Sequence, residues 1–470
     1  MWLNGVPLYD PTITPTTLSV SVSPASVQAG TNTLVVATPG GMATTTFQGT
    51  LPVPLPQSNY VPVSPHRIVD TRCSEASQPT FCPSENLPSV NASLGMVTPT
   101  HPITVSVAGS ASGLVPLSAT AVVLNVTAID ASSNSGYVTV SPTTTSSVSS
   151  LNVSPGHASL NLVTSKLSST GTVQISSSVD VNIAGDIEGY YTSGSGMDFT
   201  GIAPIRLVDT RCASTPQPDY CASENLPQAN ASLGAIPPGG TIQVHTGSSG
   251  AGAMAVNVTV PDAKSGGYLT LYSGSSAPVT SNVNFSEAKT VANMAIVPLN
   301  TNGSFYIYNS SNQPENVIVD EMGTFSQAGT ETYSPISPLR ICDTRKGTDV
   351  ISGITGQCDN SGELLAANSS MSVGETGTAL MDAAGLTTSA SSVAAPVTVV
   401  LNVTAVNPTS SGYLTVYPSS STRPTTSSVN FSAGTIQASQ VVVNVGSGGS
   451  FNVYSSSNVN VVVDVEGFYW

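Results

Sequence analysis

One stretch occurs three times in this chain and limits what it can fold into. It reads Pro-x-Arg-hydrophobic-x-Asp-Thr-Arg, at residues 65–72 (PHRIVDTR), 204–211 (PIRLVDTR) and 338–345 (PLRICDTR). From Arg72 to Arg211 is 139 residues, and from Arg211 to Arg345 is 134. A period that long is a whole domain, not a solenoid turn. The chain holds only 11 Lys plus Arg, and six of them are Arg67, Arg72, Arg206, Arg211, Arg340 and Arg345. A chain so poor in positive charge has concentrated it in one motif.

The 470 residues allow three repeats plus an N-terminal piece, each repeat large enough to bury its own core. Charged residues are 8% of the chain, against roughly 25% in ordinary proteins. Ser, Thr, Asn, Val and Gly fill the gap, which points to β structure, and the apolar runs contradict disorder. The net charge of -15 argues against a nucleic-acid partner, because phosphate contacts need clustered Lys and Arg. It equally disfavours an anionic membrane surface. No apolar run reaches the roughly 20 residues a membrane helix needs. The first 15 residues carry no basic and apolar signal pattern. The expectation is export with a leader already removed, or release by lysis within a virion.

The six cysteines fall two to a repeat: Cys73 and Cys82, Cys212 and Cys221, Cys342 and Cys358. Their spacing, with no histidine nearby, does not suit zinc. Three local disulfides are expected, hence an oxidising final environment, extracellular on a virion or bacterial surface. No metal and no cofactor is expected.

Taken in order, residues 1–58 do not match the repeat. Leu18–Ser23 alternates and Thr33–Ala37 is apolar, so a short β arm is expected, followed by a stiff proline-rich linker at Leu51–Pro56. Such an arm either anchors on a partner subunit or packs on the first repeat. The repeats span 59–198, 199–330 and 331–470. Each shows short strands with turns every 8–12 residues, and none shows helical periodicity. In the first repeat these include 121–128, 136–140, 160–163, 172–176 and 179–190. The fold class is all-β: three tandem antiparallel β-sandwiches, jelly-roll or immunoglobulin-like, behind the short arm. Three copies in one chain can also stand in for a trimer, with pseudo-threefold packing.

The ordered set P-x-R-x-x-D-T-R, L-N-V-T, G-Y-L-T-V-Y-P, S-x-V-N-F-S and V-V-D-V-E-G-F-Y resembles a tandem domain of secreted and cell-surface proteins of actinobacteria and related high-GC bacteria. The resemblance covers roughly residues 60–470. Similar domains are appended to hydrolases and also occur in exported proteins with no enzyme part, so the resemblance points to secretion or the cell surface, carries no activity over and is uninformative about a ligand. The N-terminal arm and the missing leader depart from a secreted member and fit a virion protein of a phage of such bacteria.

Each repeat supplies two arginines, the Asp of Asp-Thr-Arg (Asp70, Asp209, Asp343) and a later Asp near its end (Asp186, Asp320, Asp464). Guanidinium pairs bidentately with carboxylate, so the expected role is a buried clamp tying the first strand of each domain to its last. The alternative is an arginine-based site for an acidic sugar. Asp186-x-Glu188 and Asp464-x-Glu466 place two carboxylates on one strand face, a pattern also seen in glycosidases and calcium sites. The second repeat has Asp320-Glu321-Met322 instead, which argues against a shared role of either kind. Asn125, Asn257 and Asn402 are expected to bond a neighbouring strand. Tyr137, Tyr268 and Tyr413, each after Gly, are expected as core or corner tyrosines, with a sugar-stacking platform as the alternative. His66, His101, His157 and His245 share no position between repeats, and no catalytic motif appears. The expected function is therefore non-enzymatic: a virion decoration, tail or fibre protein that meets other structural subunits through its N-terminal arm, or a secreted adhesin or carbohydrate-binding module that meets a cell-surface glycan.

Overall fold

The computed structural model describes residues 1–7, 12–13, 18–19, 30–38, 40–49, 57–75, 78–109, 113–131, 134–143, 146, 148–345, 358, 363–374, 384, 396–446 and 449–470. Their contacts form two compact units, one of Met1–Leu55 with Thr378–Ala394, the other of Pro56–Gly377 with Ala395–Trp470. The first holds β1 (Trp2–Leu3), β2 (Val6–Pro7), β3 (Thr12–Ile13), β4 (Leu18–Ser19), β5 (Gly30–Thr38) and β6 (Gly41–Gly49). The strand expected at Leu18–Ser23 is described only at Leu18–Ser19, and Val20–Ser23 and the Leu51–Pro56 linker lie outside the described residues. The strand expected at Thr33–Ala37 is the middle of β5. It pairs with β6 in a hairpin and with β1, giving a four-stranded sheet in the order β2-β1-β5-β6.

The second unit holds the three repeats, with eight strands each among the described residues. The first repeat has β7 (Asn59–Asp70), β8 (Ile103–Ser106), β9 (Ala119–Ile129), β10 (Gly136–Ser141), β11 (Leu151–Val153), β12 (Ser159–Lys166), β13 (Thr172–Ser177) and β14 (Asn182–Thr192). The second has β15 (Asp198–Asp209), β16 (Thr241–His245), β17 (Ala251–Val260), β18 (Gly267–Tyr272), β19 (Val283–Phe285), β20 (Val291–Pro298), β21 (Ser304–Asn309) and β22 (Ile318–Ser326). The third has β23 (Tyr333–Asp343), β24 (Ser369–Gly374), β25 (Thr398–Val406), β26 (Gly412–Pro418), β27 (Val429–Phe431), β28 (Ile436–Asn444), β29 (Ser450–Ser455) and β30 (Asn460–Tyr469).

Each repeat folds into two four-stranded antiparallel sheets. In the first, one runs β12-β9-β14-β7 and the other β11-β10-β13-β8. The other repeats reproduce that order as β20-β17-β22-β15 with β19-β18-β21-β16, and β28-β25-β30-β23 with β27-β26-β29-β24. First strand beside last in one sheet, with the chain crossing between sheets at every connection except the hairpin of the fourth and fifth strands, is the jelly-roll order. Among the two sandwich topologies anticipated, this excludes the immunoglobulin-like one.

The central strand β9 reads as a continuous apolar run because both its faces are covered. Val122, Leu124 and Val126 enter the core between the sheets with Val138, Val140, Val173 and Ile175. Its other face, with Ala121, Val123 and Asn125, is also buried. What covers that second face is another repeat, and this defines the site described next.

Candidate functional site

The motif sits where the first strand of each repeat ends. Arg67, near the end of β7, donates from Nε to Asp186 Oδ1 at 2.5 Å and from Nη2 to Asp186 Oδ2 at 3.2 Å. Its Nη1 donates to Asp70 Oδ2 at 3.0 Å and to Glu85 Oε1 at 2.7 Å. Arg206 makes the same fork on Asp320, with Nε to Oδ1 at 2.8 Å, and reaches Glu224. Arg340 repeats it on Asp464 at 2.9 Å. The sequence anticipated the Arg–Asp pairs but not Glu85 and Glu224, each 18 residues after its arginine; the corresponding position in the third repeat is Cys358.

Asp70, Thr71 and Arg72 act as one piece. The chain turns from β7 into a short 3-10 turn, Thr71–Ser74, capped by Asp70, whose Oδ1 accepts from the Arg72 backbone N–H at 3.1 Å and from Arg72 Nε at 2.9 Å. Thr71 Oγ1 donates to Asn182 Oδ1 at 2.7 Å and accepts from the Ile183 N–H at 2.9 Å, latching the turn to the last strand. Thr210 with Val317 and Thr344 with Val461 repeat the latch. Arg211 and Arg345 hold Asp209 and Asp343 as Arg72 holds Asp70.

The disulfides join Cys73–Cys82, Cys212–Cys221 and Cys342–Cys358, the expected pairs. In the first two repeats the loop so closed lays an aromatic ring on the second arginine: Phe81 lies 4.7 Å from the Arg72 guanidinium and Tyr220 4.9 Å from that of Arg211. Asp70, Cys73 and Glu85 lie together, as do Asp209, Cys212 and Glu224. They are not a metal set, because each sulfur is spent in a disulfide and each group of carboxylates faces a guanidinium.

Burial shapes the charges. It pushes the Asp186, Asp320 and Asp464 carboxyls up, against the opposing pull of Arg67, Arg206 and Arg340. Burial lowers the Arg67 guanidinium, but Asp186, Glu85 and Asp70 more than offset this and hold it above its ordinary value.

The second buried face of each jelly roll meets the next repeat, and the contacts run in a ring. Asn125 Nδ2 donates to the Ser281 carbonyl, from the first repeat to the second. Asn257 Nδ2 donates to the Ser427 carbonyl at 2.6 Å, from the second to the third. Asn402 Nδ2 donates to the Ser149 carbonyl at 2.6 Å, from the third back to the first. These asparagines were expected to bond a neighbouring strand; the backbone they bond belongs to a neighbouring domain. The first and third repeats add a carboxyl. Glu188 accepts from the Ile296 N–H at 3.0 Å and from Asn282 Nδ2 at 2.5 Å, and Glu466 accepts from the Thr164 N–H at 3.4 Å. Burial pushes both carboxyls up to about 8. Met322 stands at this place in the second repeat, which explains why the Asp-x-Glu pattern breaks there.

A closed ring of six aromatic side chains, two from each repeat, completes the interlock. Centroids are 4.4 Å apart for Tyr60–Phe325, 4.8 Å for Phe325–Phe199, 4.7 Å for Phe199–Tyr469, 5.0 Å for Tyr469–Tyr333, 4.2 Å for Tyr333–Tyr191 and 5.3 Å for Tyr191–Tyr60. All six are at most 1% exposed. The terminal glycines make room for it. A Cβ on Gly189 would lie 2.2 Å from the Tyr60 hydroxyl, and on Gly467 2.1 Å from that of Tyr333.

Clefts open between adjacent repeats at the arginine-motif end. One, of about 550 Å³, is lined by Arg340 and Arg345 of the third repeat and by Tyr137, Asn152 and Ser154 of the first. Another, of about 440 Å³, is lined by Arg67 and Arg72 of the first repeat and by Tyr268, Asn284 and Ser286 of the second. These are equivalent positions. Tyr137 and Tyr268 are 46% and 37% exposed, which corrects the expectation that they are core residues. They take the outward phase of their strands, opposite Val138 and Leu269. At the remaining interface Arg206 Nη2 donates across to the Thr425 carbonyl at 3.3 Å.

No protein-family description matches the chain, and no curated protein sequence does. Among solved structures, the chain is similar to one from the atomic structure of Sulfolobus Turreted Icosahedral Virus, at 9% identity and a TM-score of 0.15, over 79% of this chain and 84% of that one. It is similar to a chain from a structure described as the triple jelly roll fold and turret assembly in an archaeal virus, at 9% identity and a TM-score of 0.14, over the same shares. Likeness that faint assigns neither ancestry nor function. No helix among the described residues is long and apolar enough to cross a membrane.

Proposed function

We propose that this chain is a non-enzymatic, surface-displayed structural component of a virion, a decoration, tail or fibre-type protein of a phage of high-GC bacteria. The observation that carries this reading is the ring of Asn125, Asn257 and Asn402, which joins three jelly rolls head to tail and back again. Such a block has the outline of a trimer while its covalent order keeps the three interfaces inequivalent. That suits a position on a symmetric particle where one chain must do the work of three. The arginines, the residues most able to do chemistry, are engaged with buried carboxylates of their own domain. The three disulfides suit an extracellular setting, and the N-terminal sheet is then the element that docks on other structural subunits.

The test is to purify particles from a lysate of the host, identify the chain by mass spectrometry and label it with antibody on intact particles. A fixed copy number per particle and labelling at one kind of site are expected. Recovery only from the bacterial surface or the culture fluid would overturn it. A second reading, a secreted adhesin or carbohydrate-binding module, is favoured by the exposed tyrosine at one place in two repeats, Tyr137 and Tyr268.

A further inference from the structure

The two clefts between adjacent repeats present the same set of groups across different repeats. Each brings an arginine pair from one jelly roll against an exposed tyrosine, an asparagine and serines from the next. Their sizes, about 550 Å³ and about 440 Å³, fall in the usual range for small-molecule sites, roughly 300–1,000 Å³. In the first, Asn152 Oδ1 is buried and has no hydrogen-bond partner among the described residues. A buried acceptor left that way is costly unless something donates to it.

We propose that these clefts bind a neutral saccharide, with a pyranose ring laid on Tyr137 or Tyr268 and its hydroxyls bonded to Asn152 or Asn284 and to the outer edges of the arginines. A half-exposed tyrosine offers an apolar face beside polar groups, which is what a sugar ring needs. The choice of a neutral sugar follows from charge. In one cleft Arg67 and Arg72 already face Asp70, Glu85 and Asp186. In the other, Arg340 and Arg345 face Asp343 and Asp464. Carboxylates match or outnumber guanidiniums in both, so an acidic sugar finds no uncompensated positive charge. This disfavours the acidic-sugar reading of the motif. A hydroxyl, which both donates and accepts, is served by such a set. Neither cleft needs the virion assignment, since the groups belong to the folded chain itself.

The experiment applies the purified full chain to an array of neutral and acidic oligosaccharides, then titrates the strongest neutral binder by calorimetry. Binding of neutral sugars is expected. The double variant Tyr137→Ala/Tyr268→Ala should bind about tenfold more weakly or worse, and Tyr137→Phe/Tyr268→Phe should keep most of the affinity because the ring face remains. Both tyrosines are exposed, so the melting temperature should match wild type and separate lost binding from lost folding. Selective binding of acidic sugars, binding of none, or unchanged affinity in the alanine variant would each overturn the proposal. Because the readout is binding by purified protein, its failure leaves the virion reading standing, and absence from particles leaves the clefts standing.

Discussion

Asn402 in the third repeat donates its side-chain amide to the Ser149 carbonyl of the first at 2.6 Å, across 253 residues of sequence. A row of independent domains could not make that contact. With its two counterparts it turns a linear repeat into a closed ring. The ring is not quite regular. Asn125 Oδ1 accepts from Asn293 at 3.1 Å and Asn402 Oδ1 from Asn161 at 2.9 Å, both across a repeat boundary. The equivalent position in the third repeat is Ser439, and Asn257 Oδ1 is buried without a partner among the described residues.

That irregularity predicts an order of stabilities. Asn402→Ala and Asn125→Ala each leave a buried carbonyl and a neighbouring amide short of a partner, and should cost about 1–3 kcal/mol. Asn257→Ala removes an amide that is itself only half-satisfied, and should cost less. Ser439→Asn supplies the missing donor and should raise stability by about 1 kcal/mol. Denaturant unfolding of the four variants checks this. Equal losses at Asn257 and Asn402 would show that the second bond contributes nothing.

Removing a clamp arginine should be more damaging. Arg67 has 11% of its side chain exposed and faces Asp186, Asp70 and Glu85. Arg67→Met leaves Asp186 and Glu85 buried without their guanidinium and Asp70 with Arg72 alone to hold it, at a cost on the order of 3–5 kcal/mol. Arg340 is 20% exposed and among the described residues faces Asp464 and Asp343. Arg340→Met should therefore cost visibly less, read as the difference between the two unfolding midpoints.

The strands, the Arg–Asp pairs and the cysteine pairs were legible in the sequence because each is local or recurs at a fixed spacing. The interlock was not. Tyr60, Phe199 and Tyr333 each lie five residues before the motif proline, yet each packs on a ring of another repeat as well as one of its own, and nothing in one repeat marks the face that meets the next. Two signals were present. The terminal glycine at 189, 323 and 467 recurs without a turn to explain it, and its cause is the ring packed on it. The outward phase of Tyr137 follows from its alternation with Val138 and Val140. Glu85 and Glu224 were missed because their shared spacing appears only once the arginines are taken as reference points.

Because the aromatic ring spans all three repeats, the repeats should unfold together. Tyr191 touches Tyr60, Tyr333 and Tyr469, and its hydroxyl lies 2.5 Å from that of Tyr469. Calorimetry of the full chain should show one transition for residues 56–470, not three. Tyr191→Ala opens a cavity at the ring and should cost about 3–5 kcal/mol, by analogy with other buried aromatics. It should also broaden or split that transition as the repeats uncouple. Three separate transitions in the wild type would refute the interlock.

The buried carboxyls set the response to pH. Burial raises Glu188 and Glu466 to about 8, far above the ordinary carboxylate value of about 4.3. Between those values the folded protein holds a proton that the unfolded chain has released. The folded state therefore binds more protons, and stability falls as pH rises. The contribution is complete below about pH 4.3, declines through the window and levels off above about pH 8. Glu85 and Glu321, raised to about 7 by burial, share the sign. The melting temperature should accordingly drop between pH 5 and pH 8. In Glu188→Gln/Glu466→Gln the drop should be shallower, with Glu85 and Glu321 supplying what remains. The double variant should also start lower, because the amide put in place of the Glu188 carboxyl would turn its NH₂ toward the Ile296 N–H or Asn282 Nδ2, both donors. A double variant with the wild-type slope would remove these two carboxyls from the account of how the ring holds.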